Sequence, residues 1–305
     1  MTPARRGTVG ITGASGYLGG VIRQRLQDGG WHTIDLVRTP RDGGARPFTI
    51  GDRTPDDLLV GVDVLVHCAY DMSLHRPEEI RRVNVDGTRR LLELARSSGV
   101  GRTIVLSSMS AYEGTRQIYG QSKLAIEELT HQVGGCAIRP GLVYGPRAGG
   151  MAGTLSRLAR LPLVPVMASR AHQFTVHEDD LADAVAALIT ADRLPEVPIG
   201  VANPEPVPFG RVLQGLARQQ GRAGRTIPVD WRLVLALLRT AERMHVPLPV
   251  RSDSVLGLVH PAPSVPNLAV LDALGVRFRR FGQPVPPRSP AANGTVADAR
   301  PVPEA

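Results

Sequence analysis

Lysine is almost missing from this chain. Of its 36 cationic side chains, 35 are arginine, and the single lysine is Lys123, in the stretch IYGQSKLAIEELT from Ile118 to Thr130. Cysteine is scarce as well. Cys68 and Cys136 lie far apart in apolar segments, with no metal spacing, so two buried free thiols in a reducing compartment are expected. Aromatics amount to 4% and interleave with no basic run, while the arginines are scattered with short pairs such as Arg81-Arg82 and Arg279-Arg280. The formal charge of +8 therefore reads as compositional bias with some attraction for anionic ligands, and nucleic acid is not an expected partner. Long hydrophobic runs are lacking too. The longest, LVLALL at 233–238, is far short of the roughly 20 residues a bilayer span needs. MTPARRGTVGITG carries no apolar signal segment, so a cytoplasmic protein with no membrane partner is expected. His67, His172 and His177 share no ligand spacing, and no metal is expected.

What is present is alternation. Apolar runs TVGIT (8–12), TIDLV (33–37), DVLVHCA (63–69), RTIVLSS (102–108) and CAIRPG (136–141) are separated by helical stretches such as PEEIRRVNVDGTRRLLELARSSG and YGQSKLAIEELTHQ. Strands that are apolar throughout, joined by amphipathic helices, predict an α/β fold with a doubly wound, mostly parallel Rossmann-type sheet. This core is expected to span residues 1–202, with a substrate loop at 147–176. Proline-punctuated residues 203–286 read as a smaller substrate lobe, and the apolar stripe of DWRLVLALLRTAERM as part of its core. Residues 287–305, rich in Pro and Ala without periodicity, read as a disordered tail.

ITGASGYLGG places Gly13, Gly16 and Gly19 directly after the first strand and before a helix. Such glycines allow a tight turn, close approach of backbone to a pyrophosphate, and close helix–strand packing, and the helix N-terminus adds N–H donors. Arg38 follows the second strand at LVRTPRD, whereas Asp35 lies inside it, so a 2′-phosphate and NADP are favoured, with NAD as the alternative. Asp52 is a candidate partner for the adenine amine.

Tyr119 and Lys123 stand four residues apart on a predicted helix and share one face. An ammonium beside a phenol favours its ionisation, and a compact ammonium serves that role better than a planar guanidinium. Lys123 is therefore expected to lower the Tyr119 pKa; the alternative is an exposed lysine facing Glu127. Ser108, at the end of RTIVLSS, can hydrogen-bond a substrate oxygen, and Asn84 in VNVDGT can help hold the arrangement.

TGASGYLG, DVLVHCA, VNVDGT, SSMSAY, YGQSK and RPGLVYGP together resemble the extended short-chain dehydrogenase/reductases, the NAD-dependent epimerase/dehydratase family, over roughly residues 7–200. The resemblance implies Ser108, Tyr119 and Lys123 as a catalytic trio with Asn84 a fourth member. It also implies that Gly13, Ser15, Gly16, Tyr17, Leu18, Gly19, Ala69 and Pro140 surround the cofactor, with Lys123 on its ribose. The implied activity is NAD(P)-dependent hydride transfer at a carbonyl or carbinol carbon, with Tyr119 as acid/base, on a small molecule such as a sugar nucleotide or natural-product intermediate. A nucleotide-sugar epimerase with tightly held NAD is the second reading, which would put Arg147, Arg157 and Arg160 on the diphosphate, although a solvated face is the favoured place for them; a non-catalytic dinucleotide sensor is the third. The resemblance also implies a homodimer through helices 78–98 and 119–132. SSMSAYEG lacks the Thr-Asp-Glu run of the family's nucleotide-sugar dehydratases, which disfavours dehydration.

Overall fold

Strands and helices alternate from Arg6 onward in the computed structural model, which describes residues 6–283 except 42, 148, 168–170, 223–224, 245 and 247–249. The expected disordered tail at 287–305 lies outside the described residues. The first half runs β1 (Arg6–Thr12), α1 (Tyr17–Asp28), β2 (Trp31–Val37), β3 (Arg46–Pro47), β4 (Val64–His67), α2 (Pro77–Ile80), a π turn (Arg81–Val85), α3 (Asp86–Ser97), β5 (Arg102–Leu106), α4 (Ile118–Gln132) and β6 (Cys136–Pro140). The second half runs β7 (Leu142–Tyr144), α5 (Gly150–Leu158), β8 (Val164–Met167), β9 (His172–Gln173), β10 (Thr175–His177), α6 (Glu178–Thr190) and β11 (Ile199–Val201). It closes with β12 (Val207–Pro208), α7 (Phe209–Gln219), β13 (Thr226–Val229), α8 (Trp231–Arg243), α9 (Ser252–Val259) and α10 (Leu268–Ala273).

Seven strands form one sheet in the order β3-β2-β1-β4-β5-β6-β11, and every neighbouring pair is parallel. The continuous apolar runs follow from this, because alternate residues serve opposite faces. Val64 and Val66 pack with Val21, Ile22, Leu181 and Val185. Leu65, between them, packs with Leu91 on the other side. The chain reverses its direction of winding between β1 and β4, and such a switch point leaves a crevice beyond the strand ends.

A second core gathers Leu155, Val166, Phe209, Leu213, Leu235 and Val255 from α5, β8, α7, α8 and α9. Leu271 of α10 and Val276 return to the main core. The α8 stripe is only partly core: Leu235 and Leu238 are buried, but Leu233 is 70% and Leu237 67% exposed. Among the described residues no helix is long and apolar enough to cross a membrane.

Candidate active site

The switch point is tied together by polar groups. Thr12 Oγ1 accepts from the backbone N–H of Cys68 (3.0 Å) and Ala69 (3.1 Å). Having accepted twice, the hydroxyl donates to His67 Nδ1 at 2.7 Å, and the opposite nitrogen Nε2 donates to Thr88 Oγ1 at 2.9 Å. The His67 ring is buried and neutral, its pKa pushed down to about 3 by burial first and by Lys123 second. The ends of β1 and β4 are thereby held side by side.

From Thr12 the chain turns into α1. Gly13 has φ of 67°, and a Cβ there would stand 3.1 Å from the Ala69 nitrogen. A Cβ at Gly19 would lie 2.2 Å from the Gly13 carbonyl oxygen, so only glycine lets α1 rest on the turn. This side-chain-free cradle at a helix N-terminus fits the diphosphate of a dinucleotide. Gly13, Gly16, Tyr17, Leu18 and Gly19 line one end of a cleft of about 460 Å³, and Pro140 joins them from β6. Ser15 is exposed at the tip of the turn, and Ala69 packs beneath Gly13. Arg38 and Asp52 are exposed and do not line the cleft; Asp35 is engaged by Arg23 at 2.7 Å.

Tyr17 offers backbone to this turn, because its side chain is turned elsewhere. Its hydroxyl donates to Glu178 Oε2 at 2.6 Å, and burial holds the phenol well above its ordinary value. Arg147, read as a diphosphate ligand in the epimerase alternative, instead donates to Glu178 Oε1 at 2.9 Å and lies 3.6 Å from Asp179. Glu178 is fully buried, and a buried carboxylate requires such a counter-charge. Arg160 is likewise engaged, donating to Gln220 at 3.0 Å, while Arg157 is exposed.

Ser108, Tyr119 and Lys123 line the middle of the cleft. Lys123 is 4% exposed, which rules out the exposed-lysine reading. Its Nζ donates to the Leu106 carbonyl at 2.6 Å and stands 4.5 Å from the Tyr70 ring centroid and 5.7 Å from that of Tyr119. Burial pushes the ammonium down to about 8, opposed by Cys68 and Glu127. The Tyr119 phenol departs from expectation. It is held well above its usual range by burial and then by Tyr70, with Ser108 alone pulling it down. The Lys123 ammonium, hydrogen-bonded to the Leu106 carbonyl, stands close by, and burial outweighs whatever it contributes.

Three supporting residues escape a motif reading. Tyr70 sits edge-on to Tyr119 at 5.2 Å, and its hydroxyl donates to Ser122 Oγ (2.8 Å), which in turn donates to the Tyr119 carbonyl (2.7 Å). Its only sequence signal is a polar aromatic three residues past the end of β4. Glu127 is buried and accepts from Arg139 at 2.8 and 2.6 Å and from the Ser107 hydroxyl. Asp253, on α9, accepts from the N–H groups of Ile118 (2.8 Å) and Tyr119 (3.2 Å). It therefore caps α4 where Gln117, the residue in cap position, makes no side-chain bond. Asn84 is fully buried in the π turn and clasps the Asp71 backbone (2.7 and 3.1 Å), so it braces the loop behind Tyr70 without bonding Tyr119 or Lys123.

Apolar side chains supply much of the remaining wall, chiefly Met109, Met151, Phe174, Leu258 and Ala262 with Met72, while Gln117, Gln173, Arg251, Asp253 and His260 bring polar and charged groups to it. Among the described residues no group of His, Cys, Asp and Glu side chains could hold a metal ion.

A "Ceramide reductase" of Caulobacter vibrioides is 31% identical over 241 residues, covering 74% of this chain and 75% of that protein. An uncharacterized protein of Mycobacterium tuberculosis is 27% identical over 79% of this chain, which spans only 27% of that relative's length. In three dimensions the chain is similar to the UDP-glucose 4-epimerase of Thermus thermophilus in complex with NAD, with a TM-score of 0.66 and 21% identity, over 89% of this chain and 94% of that one. Residues 9–200, which hold the whole parallel sheet except its first strand residues and its last, match the description "NAD dependent epimerase/dehydratase family". That family contains NAD-dependent epimerases, dehydratases and reductases built as extended short-chain dehydrogenase/reductases, and this chain belongs to it.

Proposed function

We propose that this protein is an NAD(P)-dependent carbonyl reductase acting on an apolar substrate. The observation that carries the reading is the Tyr119 phenol set beside the Ser108 hydroxyl in a cleft whose walls are largely apolar. In this reading Ser108 donates to the substrate carbonyl oxygen and holds it near Tyr119. Tyr119 is the general acid that gives its proton to that oxygen as it becomes a hydroxyl. Burial keeps the phenol protonated until the oxygen demands a proton, which suits reduction better than oxidation. Lys123, held near 8, stabilises the resulting phenolate and can return a proton to it. Gly13, Gly16 and Gly19 would hold the diphosphate, and Arg38 would pair with the 2′-phosphate of NADP; NAD is the alternative that the NAD-bound neighbour keeps open. The bound nicotinamide dinucleotide supplies the hydride. The similarity to a ceramide reductase supports an apolar carbonyl substrate. The engagement of Arg147 by Glu178 weighs against a sugar nucleotide bound through it. A homodimer through α2–α4 belongs to the same reading and rests on family resemblance.

The test uses purified protein, NADPH or NADH, a panel of long-chain ketones, and UDP-glucose as the competing substrate. Ketone-dependent consumption of reduced cofactor is expected. Tyr119→Phe should keep cofactor binding and lose at least about 100-fold in turnover. Unchanged turnover in Tyr119→Phe, or interconversion of UDP-glucose with no net use of cofactor, overturns the proposal.

A further inference from the structure

The helix α8 divides into three sectors. At 100° per residue, Trp231, Val234, Leu235, Leu238 and Glu242 share one side, and these residues pack inward or are partly buried. Leu233, Leu237 and Met244 share a second side and are 70%, 67% and 69% exposed. Arg232, Arg239 and Arg243 form a third stripe along the flank of that apolar face, all exposed. The one acidic residue of the helix is turned away from this surface: the Glu242 carboxylate accepts from Ser252 N–H at 2.8 Å and from Ser252 Oγ at 2.6 Å. The exposed charges of α8 are therefore all positive. Single exposed leucines are ordinary on a protein surface; three large apolar residues in one row beside three arginines are not.

We propose that this outer face of α8 docks the protein on an anionic lipid surface. The chemistry has the two parts such a surface requires, an apolar stripe to enter the acyl boundary and cations to meet the headgroups. A second copy of the same face is a poorer partner, since a two-fold contact would set arginine rows against each other. The helix also adjoins the cleft. Trp231, at its first turn, stacks edge-on with His260 at 5.8 Å, and His260 lines the cleft wall. The docking itself is independent of the reductase reading.

The experiment is flotation of the full chain with vesicles of phosphatidylcholine alone and of phosphatidylcholine with phosphatidylglycerol, at low and high salt. Binding to the anionic vesicles is expected, at least tenfold weaker on pure phosphatidylcholine and weakened by salt. Leu233→Glu with Leu237→Glu should abolish it, while thermal stability and turnover of a water-soluble ketone stay unchanged. Each of Arg232→Gln, Arg239→Gln and Arg243→Gln should cost roughly fivefold. Equal binding to both vesicle types, no binding, or a leucine variant that still floats overturns the proposal. So does a wild-type oligomer by light scattering that the leucine variant loses, since a second copy would then cover the face.

Discussion

The sharpest perturbation is Lys123→Met. Methionine nearly reproduces the buried stem of lysine and removes the charge together with the hydrogen bond to Leu106. The structure buries that ammonium to 4% exposure, with the Leu106 carbonyl at 2.6 Å and the Tyr70 ring as its nearest support. The result is a pKa of about 8 in place of 10.5. Between those values the unfolded chain holds a proton on this lysine that the folded chain has released, so wild-type stability rises with pH across that window. Held charged at pH 7, Lys123 costs about 3 kcal/mol relative to its neutral form. Losing the hydrogen bond to Leu106 offsets about 1–2 kcal/mol of this. Lys123→Met is therefore expected to be inactive yet about 1–2 kcal/mol more stable at pH 7, a rise of roughly 1.5–3 °C in melting temperature for a chain of this length. Its advantage over wild type should fall by about 3 kcal/mol between pH 7 and pH 10.5. Urea unfolding of both proteins at the two pH values measures this directly. A stability difference that does not change with pH would refute the reasoning, because the buried charge would then not be what separates the two proteins.

Gly19→Ala places a methyl 2.2 Å from the Gly13 carbonyl, a backbone atom that cannot step aside; NADPH affinity by fluorescence titration should fall at least about tenfold, with about 1–3 kcal/mol of stability lost, and an unchanged Kd would contradict the cradle. Arg38→Ala should weaken NADPH about tenfold and leave NADH unaffected; an equal loss for both cofactors means that Arg38 does not read the 2′-phosphate.

The parallel sheet was legible because its central strands carry consecutive apolar residues, as in VLV of DVLVHCA and IVL of RTIVLSS, which a sheet covered on both faces requires. The glycine turn was legible for a similar reason: the steric demands at residues 13 and 19 admit one side chain. Lys123 announced itself by rarity. What the sequence did not show were relations between distant side chains. Nothing in HEDDLADAV says that Glu178 takes both Tyr17 and Arg147, which is why the sequence leaves Arg147 on a solvated face or, in the epimerase alternative, on a diphosphate. Nothing in YGQSK says how deeply Tyr119 is buried, so the direction of its pKa follows from packing and not from spacing. The two sides of α8 carry the same leucines in sequence, and only the placement of the lobe decides which of them face water.

The cap that Asp253 places on α4 makes the two lobes a single functional unit. The helix that carries Tyr119 is completed by a carboxylate 134 residues further along the chain. A chain whose C-terminal part came from a relative would keep this end of α4 only where the incoming segment brings an acceptor to the same point. The placement of Tyr119 is thus inherited together with a residue far from every motif around it.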